Sequence, residues 1–112
     1  MESAIAHAGV GEKVFVEEVE EVILQHADVV DALVIGRSND RFGDEVVALV
    51  QVRPGASLTP RDVRECAAQS LARFKAPRAV LFCDRISRHP SGKADYSWAR
   101  RAARDAMPAT SS

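Results

Sequence analysis

The chain has 112 residues, with 15 Lys and Arg against 16 Asp and Glu and 46% hydrophobic content, which suits one domain with a modest core and excludes a multidomain enzyme. The formal net charge of −1 provides no overall field to gather nucleic acid or an anionic membrane. No apolar run exceeds five residues, as in Val46 to Val50, and Met1 to Ala4 lacks the basic-then-apolar pattern of a secretion signal, so the expectation is a soluble, cytoplasmic chain without a transmembrane segment.

In chain order, residues 1–12 contain two glycines and no periodic apolar pattern. They read as a flexible lead-in, with structure beginning near Val14. From Val16 to His26, Val16, Val19, Val22 and Ile23 form one helical stripe, while Glu17, Glu18, Glu20 and Glu21 are assigned to the opposite, solvated face. Val29 to Arg37 and Glu45 to Arg53 are rich in Val, Ile and Leu and read as adjacent strands at the sheet centre. Ser38, Asn39, Asp40 and Gly43 supply the turn chemistry of a long hairpin loop between them.

Pro54 and Gly55 end the second strand, and Thr59-Pro60-Arg61-Asp62 then reads as an N-cap, a proline at the first helical position and an acid at the third. The helix that follows is expected to end around Arg73, before Pro77. Ala79 to Cys83 forms a third strand, Asp84 to Lys93 a polar loop, and Asp95 to Asp105 a last helix with Trp98, Ala99, Ala102 and Ala103 at helical spacing. The predicted class is α+β, a three-stranded sheet packed by about three helices. The body of the domain spans 13–106 and a disordered tail 107–112.

The standard chemical signatures are missing. His7, His26 and His89 are far apart, and Cys66 and Cys83 lack metal-ligand spacing and read as reduced core residues, so no metal is assigned. Gly92-Lys93 is not a phosphate-binding loop: Ser87 stands where that motif needs its first glycine, and Ala94 follows the lysine where a hydroxyl is needed. Gly9-Val10-Gly11 has Val14 where a dinucleotide loop wants a third glycine. No Gly-x-Ser-x-Gly elbow is present, and Ser91 has only the neighbouring His89 as a conceivable base. What remains is Lys93 on the glycine-containing loop Arg88-His89-Pro90-Ser91-Gly92-Lys93. It is either a solvated surface lysine or a cation that reaches out to neutralise anionic oxygens during group transfer.

Four segments in order decide how that lysine is read. Gly11-Glu12-Lys13-Val14-Phe15-Val16-Glu17-Glu18-Val19-Glu20, Asn39-Asp40-Arg41-Phe42-Gly43-Asp44, Arg73-Phe74-Lys75-Ala76-Pro77-Arg78 and Pro90-Ser91-Gly92-Lys93 together resemble the carboxy-terminal domain of adenylate-forming acyl-CoA synthetases, the fatty-acid-CoA ligases among them. The resemblance implies a two-step reaction. A carboxylate and ATP give acyl-adenylate and pyrophosphate, and the CoA thiol then displaces AMP. It also implies a large N-terminal adenylation domain that holds ATP, Mg and the acyl substrate, over which this small domain rotates as a lid; no cofactor is bound by the small domain alone.

By position, Lys93 matches the family's lysine that approaches the acyl carboxylate and α-phosphate. Gly11 matches the glycine beside the pantetheine tunnel, or else serves only a backbone turn. Phe74, Lys75 and Arg78 match a segment that meets the CoA nucleotide, where Phe74 either stacks on adenine or plugs the core and Arg78 is the better phosphate partner. Phe42 either touches CoA or packs against a helix. The chain departs from the family at Val16, where many relatives have proline, at Ala76, where some have a basic residue, and before Gly11, where no recognisable hinge residue stands. The expected role is the catalytic lid of such a ligase, inactive alone. The alternative is a freestanding binding or self-association module that keeps the fold without catalysis.

Overall fold

The computed structural model describes residues 5–8, 12–39, 43–72 and 75–106. Its elements run β1 (Ile5–Ala8), β2 (Glu12–Phe15), α1 (Val16–Leu24), β3 (Val29–Asn39), β4 (Gly43–Val52), α2 (Pro60–Ser70), β5 (Ala79–Phe82) and α3 (Tyr96–Ala106). The main sheet has the order β3-β4-β5, with β3 antiparallel and β5 parallel to the central β4. A parallel pair needs a crossover, and α2 provides it. The class is α+β, as the sequence predicts.

Both faces of this sheet are buried, which explains why β4 reads as an unbroken apolar run rather than an alternating one. Ala32, Val34, Val46, Ala48, Val50 and Val80 point to one face and pack with Val16, Val19 and Ile23 of α1 and Val63 of α2. Leu33, Ile35, Val47 and Leu49 point to the other, against Ile86 and against Ala99 and Ala103 of α3. Two small alanines on α3 let that helix lie close to the strands.

The α2 start follows the predicted cap. The Thr59 hydroxyl accepts from the Asp62 N–H (3.1 Å), and an Asp62 carboxylate oxygen accepts from the Thr59 N–H (3.0 Å), with Pro60 at the first helical position. The helix ends at Ser70 rather than around Arg73, because Leu71 turns extended and packs against the core.

Four other expectations need correction. Ordered structure begins before Val14: β1 pairs antiparallel with β2, from Ile5 opposite Phe15 to Ala8 opposite Glu12. The β3–β4 ladder extends to Asn39 opposite Gly43, so the connection is shorter than a long loop. Arg37–Glu45 and Ser38–Asp44 side-chain pairs support these last rungs. The sheet centre is β4 alone, with β3 at an edge. Glu20 does not face solvent, and is only 8% exposed. It shares the 16, 19, 20, 23 stripe of α1, and its Oε2 accepts the Val34 N–H (2.9 Å) and the Tyr96 hydroxyl (2.9 Å). That carboxylate occupies a backbone donor on β3, an edge strand that would otherwise present it to other chains.

The β1–β2 ribbon lies against the main sheet at Gly36. A Cβ on Gly36 would sit 3.0 Å from the Ala6 Cβ and 3.1 Å from the Ala6 Cα, closer than packed atoms tolerate, and Ala6 is itself buried. Gly36→Val is therefore expected to destabilise the domain by about 1–3 kcal/mol. Urea denaturation reads the loss, and NMR shift changes should concentrate in β1 and β2 rather than in α3.

Cys66 and Cys83 are free thiols, each partly buried rather than fully in the core. Burial pushes the Cys83 thiol up, with Asp84 adding to the shift.

Candidate functional site

After β5 the chain crosses the sheet end, anchored by buried Ile86, whose N–H donates to Gln51 Oε1 (3.0 Å). It then folds into a small hairpin. Arg88 and Ala94 form an antiparallel bridge, the His89 N–H donates to the Lys93 carbonyl (3.0 Å), and the Gly92 N–H donates to the His89 carbonyl (2.8 Å). Pro90 presets one turn residue and Gly92 takes φ +90°. A Cβ on Gly92 would meet nothing within 4 Å, so the glycine is required for its backbone angle and not for space. Gly92→Ala is expected to cost about 1–2 kcal/mol, and Gly92→Asn less because asparagine tolerates positive φ. Equilibrium denaturation of the two variants checks the order.

Lys93 closes this hairpin with its backbone fixed and its side chain exposed. Among the described residues no carboxylate pairs with its ammonium. The Lys93 N–H reaches the Ser91 hydroxyl at 3.4 Å, while His89 Nε2 lies 3.9 Å from Asp95 Oδ1. Ser91 and His89 thus face different partners and are not arranged as a nucleophile with its base. Asp95 ends the hairpin and starts α3 by accepting the Trp98 N–H (3.0 Å).

Arg88 ties the hairpin to the sheet. Its Nε and Nη2 donate to Asp31 Oδ2 (2.8 Å) and Oδ1 (2.7 Å), and its Nη1 donates to the Gly92 carbonyl (3.1 Å). Partial burial would raise the Asp31 carboxyl, but the Arg88 guanidinium and the Ala32 N–H outweigh it and hold that carboxyl below its ordinary range. Sequence reasoning did not single out this pair. The residues are 57 apart, and nothing local marks them as partners.

The remaining candidates sit elsewhere. Arg78 is exposed and its N–H donates to the Val46 carbonyl (2.8 Å); Lys75 Nζ donates to Glu18 Oε1 (3.0 Å). Gly11, Phe42 and Phe74 lie outside the described residues. Val46 pairs with Gly36, the residue under β1, whereas Asp31, which holds the Lys93 hairpin, pairs with Gln51. The structure therefore does not bring Arg78 and Lys93 together: five residues of β4 separate their anchor points, about 16 Å. β1 and Arg78 share one end of the sheet, and Lys93 belongs to the other.

Among the described residues no group of three or more His, Cys, Asp or Glu side chains could hold a metal ion, and no helix is long and apolar enough to cross a membrane.

Comparison with known proteins identifies the family of this three-stranded sheet with helices on both faces. The family model for the AMP-binding enzyme C-terminal domain matches residues 18–93, and the chain belongs to that family. It is 50% identical over 93 residues to the medium-chain acyl-CoA ligase Mig of Mycobacterium avium, covering 83% of this chain and 17% of that protein. ATP-bound MatB from Rhodopseudomonas palustris superposes with a TM-score of 0.82 at 30% identity, covering 92% of this chain and 20% of MatB. The amide bond synthetase McbA from Marinactinospora thermotolerans superposes equally well, with a TM-score of 0.82 at 31% identity over 89% of this chain and 20% of McbA. The chain thus spans about a fifth or less of the length of these proteins.

Proposed function

We propose that this chain is the mobile lid of an ATP-dependent acyl-CoA synthetase, and that Lys93 acts in its first step. In that step a carboxylate attacks the α-phosphorus of ATP, so two anions approach while negative charge builds on the transferring group. An ammonium delivered to that point from a water-excluding lid offsets the repulsion where it is largest. The observation that carries this reading is the exposure of Lys93 on a conformationally fixed hairpin. Among the described residues no carboxylate neutralises this cation.

The opposite end of the sheet is assigned to the second step. Arg78 and Lys75 are placed towards the CoA phosphates, Gly11 beside the pantetheine and Phe42 and Phe74 towards the nucleotide. The offset of the two anchor points along β4 supports a lid that turns between steps. Mg and the acyl substrate belong to the N-terminal adenylation domain in this scheme, the isolated chain is inactive, and a complete enzyme that consumes ATP and CoA fits a cytoplasmic setting. The identity to an acyl-CoA ligase favours CoA as acceptor.

The test is to supply the adenylation domain, in cis or in trans, and to follow ATP–pyrophosphate exchange with a medium-chain fatty acid. Exchange is expected only when this chain is present. Equal exchange in its absence would overturn the lid reading.

A further inference from the structure

We infer that Arg88, itself held by Asp31, is a positioning residue that aims the Lys93 hairpin. This inference rests on the reading of Lys93 given above and adds to it two residues with no assigned role.

The geometry builds from the sheet outward. Val29 pairs with Val52 and Asp31 with Gln51, so β3 carries one extra residue between them. Such a bulge re-aims the side chains beside it. Here Val29 turns into the core and Val30 outward at 50% exposure, and Asp31 is fixed by its own Oδ1 accepting the Ala32 N–H (2.8 Å). A carboxylate anchored in this way offers two oxygens in a defined plane, and the Arg88 guanidinium meets both in the bidentate arrangement that fixes direction as well as distance. The third donor of the same planar group then grips the Gly92 carbonyl, the peptide unit that joins Gly92 to Lys93. Because the fork is rigid, the position of Asp31 is transmitted to the peptide from which the Lys93 side chain departs. The Asp31 and Arg88 side chains are 20% and 33% exposed, so the pair is less screened than a fully exposed one.

Without the clamp the hairpin keeps its two internal bonds and its bridge but loses its tie to β3. The amine would then wander over more than the fraction of an ångström that an electrostatic role tolerates. Displacement of that size costs about 10–10²-fold in rate without weakening substrate binding.

The test has two arms. In the ¹⁵N-labelled chain, amide order parameters at Ser91, Gly92 and Lys93 are compared for wild type, Arg88→Gln, Arg88→Lys and Asp31→Asn. Amides of Leu49 and Ala99 serve as controls that the fold persists. All three variants should lower the order of the hairpin alone, and unchanged order there in all three would overturn the inference. In the enzyme completed by the adenylation domain, Arg88→Gln should lower kcat for adenylation about tenfold with KM unchanged. In a Lys93→Ala background the same substitution should lower it no further. A further tenfold loss in that background would mean that Arg88 does not act through Lys93, and would sink the inference. If Lys93→Ala itself matches wild type, the role proposed for Lys93 fails, and the order parameters still decide whether the clamp exists.

Discussion

Replacing Lys93 by alanine is expected to lower acyl-adenylate formation by about 10²–10³-fold in the enzyme completed with its larger domain, the loss that follows removal of one preorganised charge from a developing anionic transition state. Thioester formation from preformed acyl-adenylate should be unchanged, because in the proposed scheme the lid then presents its other end. The fold should not register the substitution. Lys93 is exposed, so stability is expected to stay within about 0.5 kcal/mol of wild type. Lys93→Arg keeps the charge but replaces a compact ammonium with a longer planar group, and should recover only part of the rate. Pyrophosphate exchange and a single-turnover thioester assay separate these outcomes. Equal adenylation by Lys93→Ala and wild type would remove the assignment.

What could be read in advance follows from how local each signal is. The Thr59-Pro60-Arg61-Asp62 cap involves contacts within four residues, and it forms as predicted. The turn that carries Lys93 was legible because proline and glycine fall within it, and Gly92 at φ +90° shows why that turn needs its glycine. The strands β3 and β4 were legible as apolar runs, but their order was not. An unbroken run says that both faces are covered without saying which neighbours cover them. β1 was missed because Ala6, which it turns inward, carries almost no hydrophobic signal; it packs closely only because residue 36 has no Cβ. Arg88–Asp31 and Glu20–Tyr96 were missed for a different reason. Each joins residues more than 50 positions apart, and a charge paired that way looks in the sequence like any solvated one. Assigning Glu20 to the solvated face follows residue type where the helical stripe says otherwise.

Glu20 makes that point testable. Glu20→Ala leaves the buried Val34 N–H and the Tyr96 hydroxyl without their shared acceptor, and should cost about 2–4 kcal/mol by urea denaturation. Glu20→Gln keeps an oxygen in the same place and should cost far less. The two variants separate the hydrogen bonds from the charge. Burial, the largest influence, pushes the Glu20 carboxyl above the ordinary value of 4.5, against the opposing pull of the Val34 N–H and the Tyr96 hydroxyl. Tyr96, pushed up by its own burial and by the nearby Glu20 carboxylate, stays protonated and able to donate at neutral pH. A carboxyl that holds its proton more tightly in the folded chain than in the unfolded one gives a contribution complete below the unfolded value and lost as pH rises through the folded one. The wild type should therefore lose stability relative to Glu20→Gln as pH climbs from about 4.5, and the difference should level off once Glu20 is ionised in both states. Taking the difference between the two proteins cancels the other titrating groups. A gap that stays flat across that range, or Glu20→Ala as stable as Glu20→Gln, would mean that this carboxyl is solvated after all and that the edge of β3 is protected by something else.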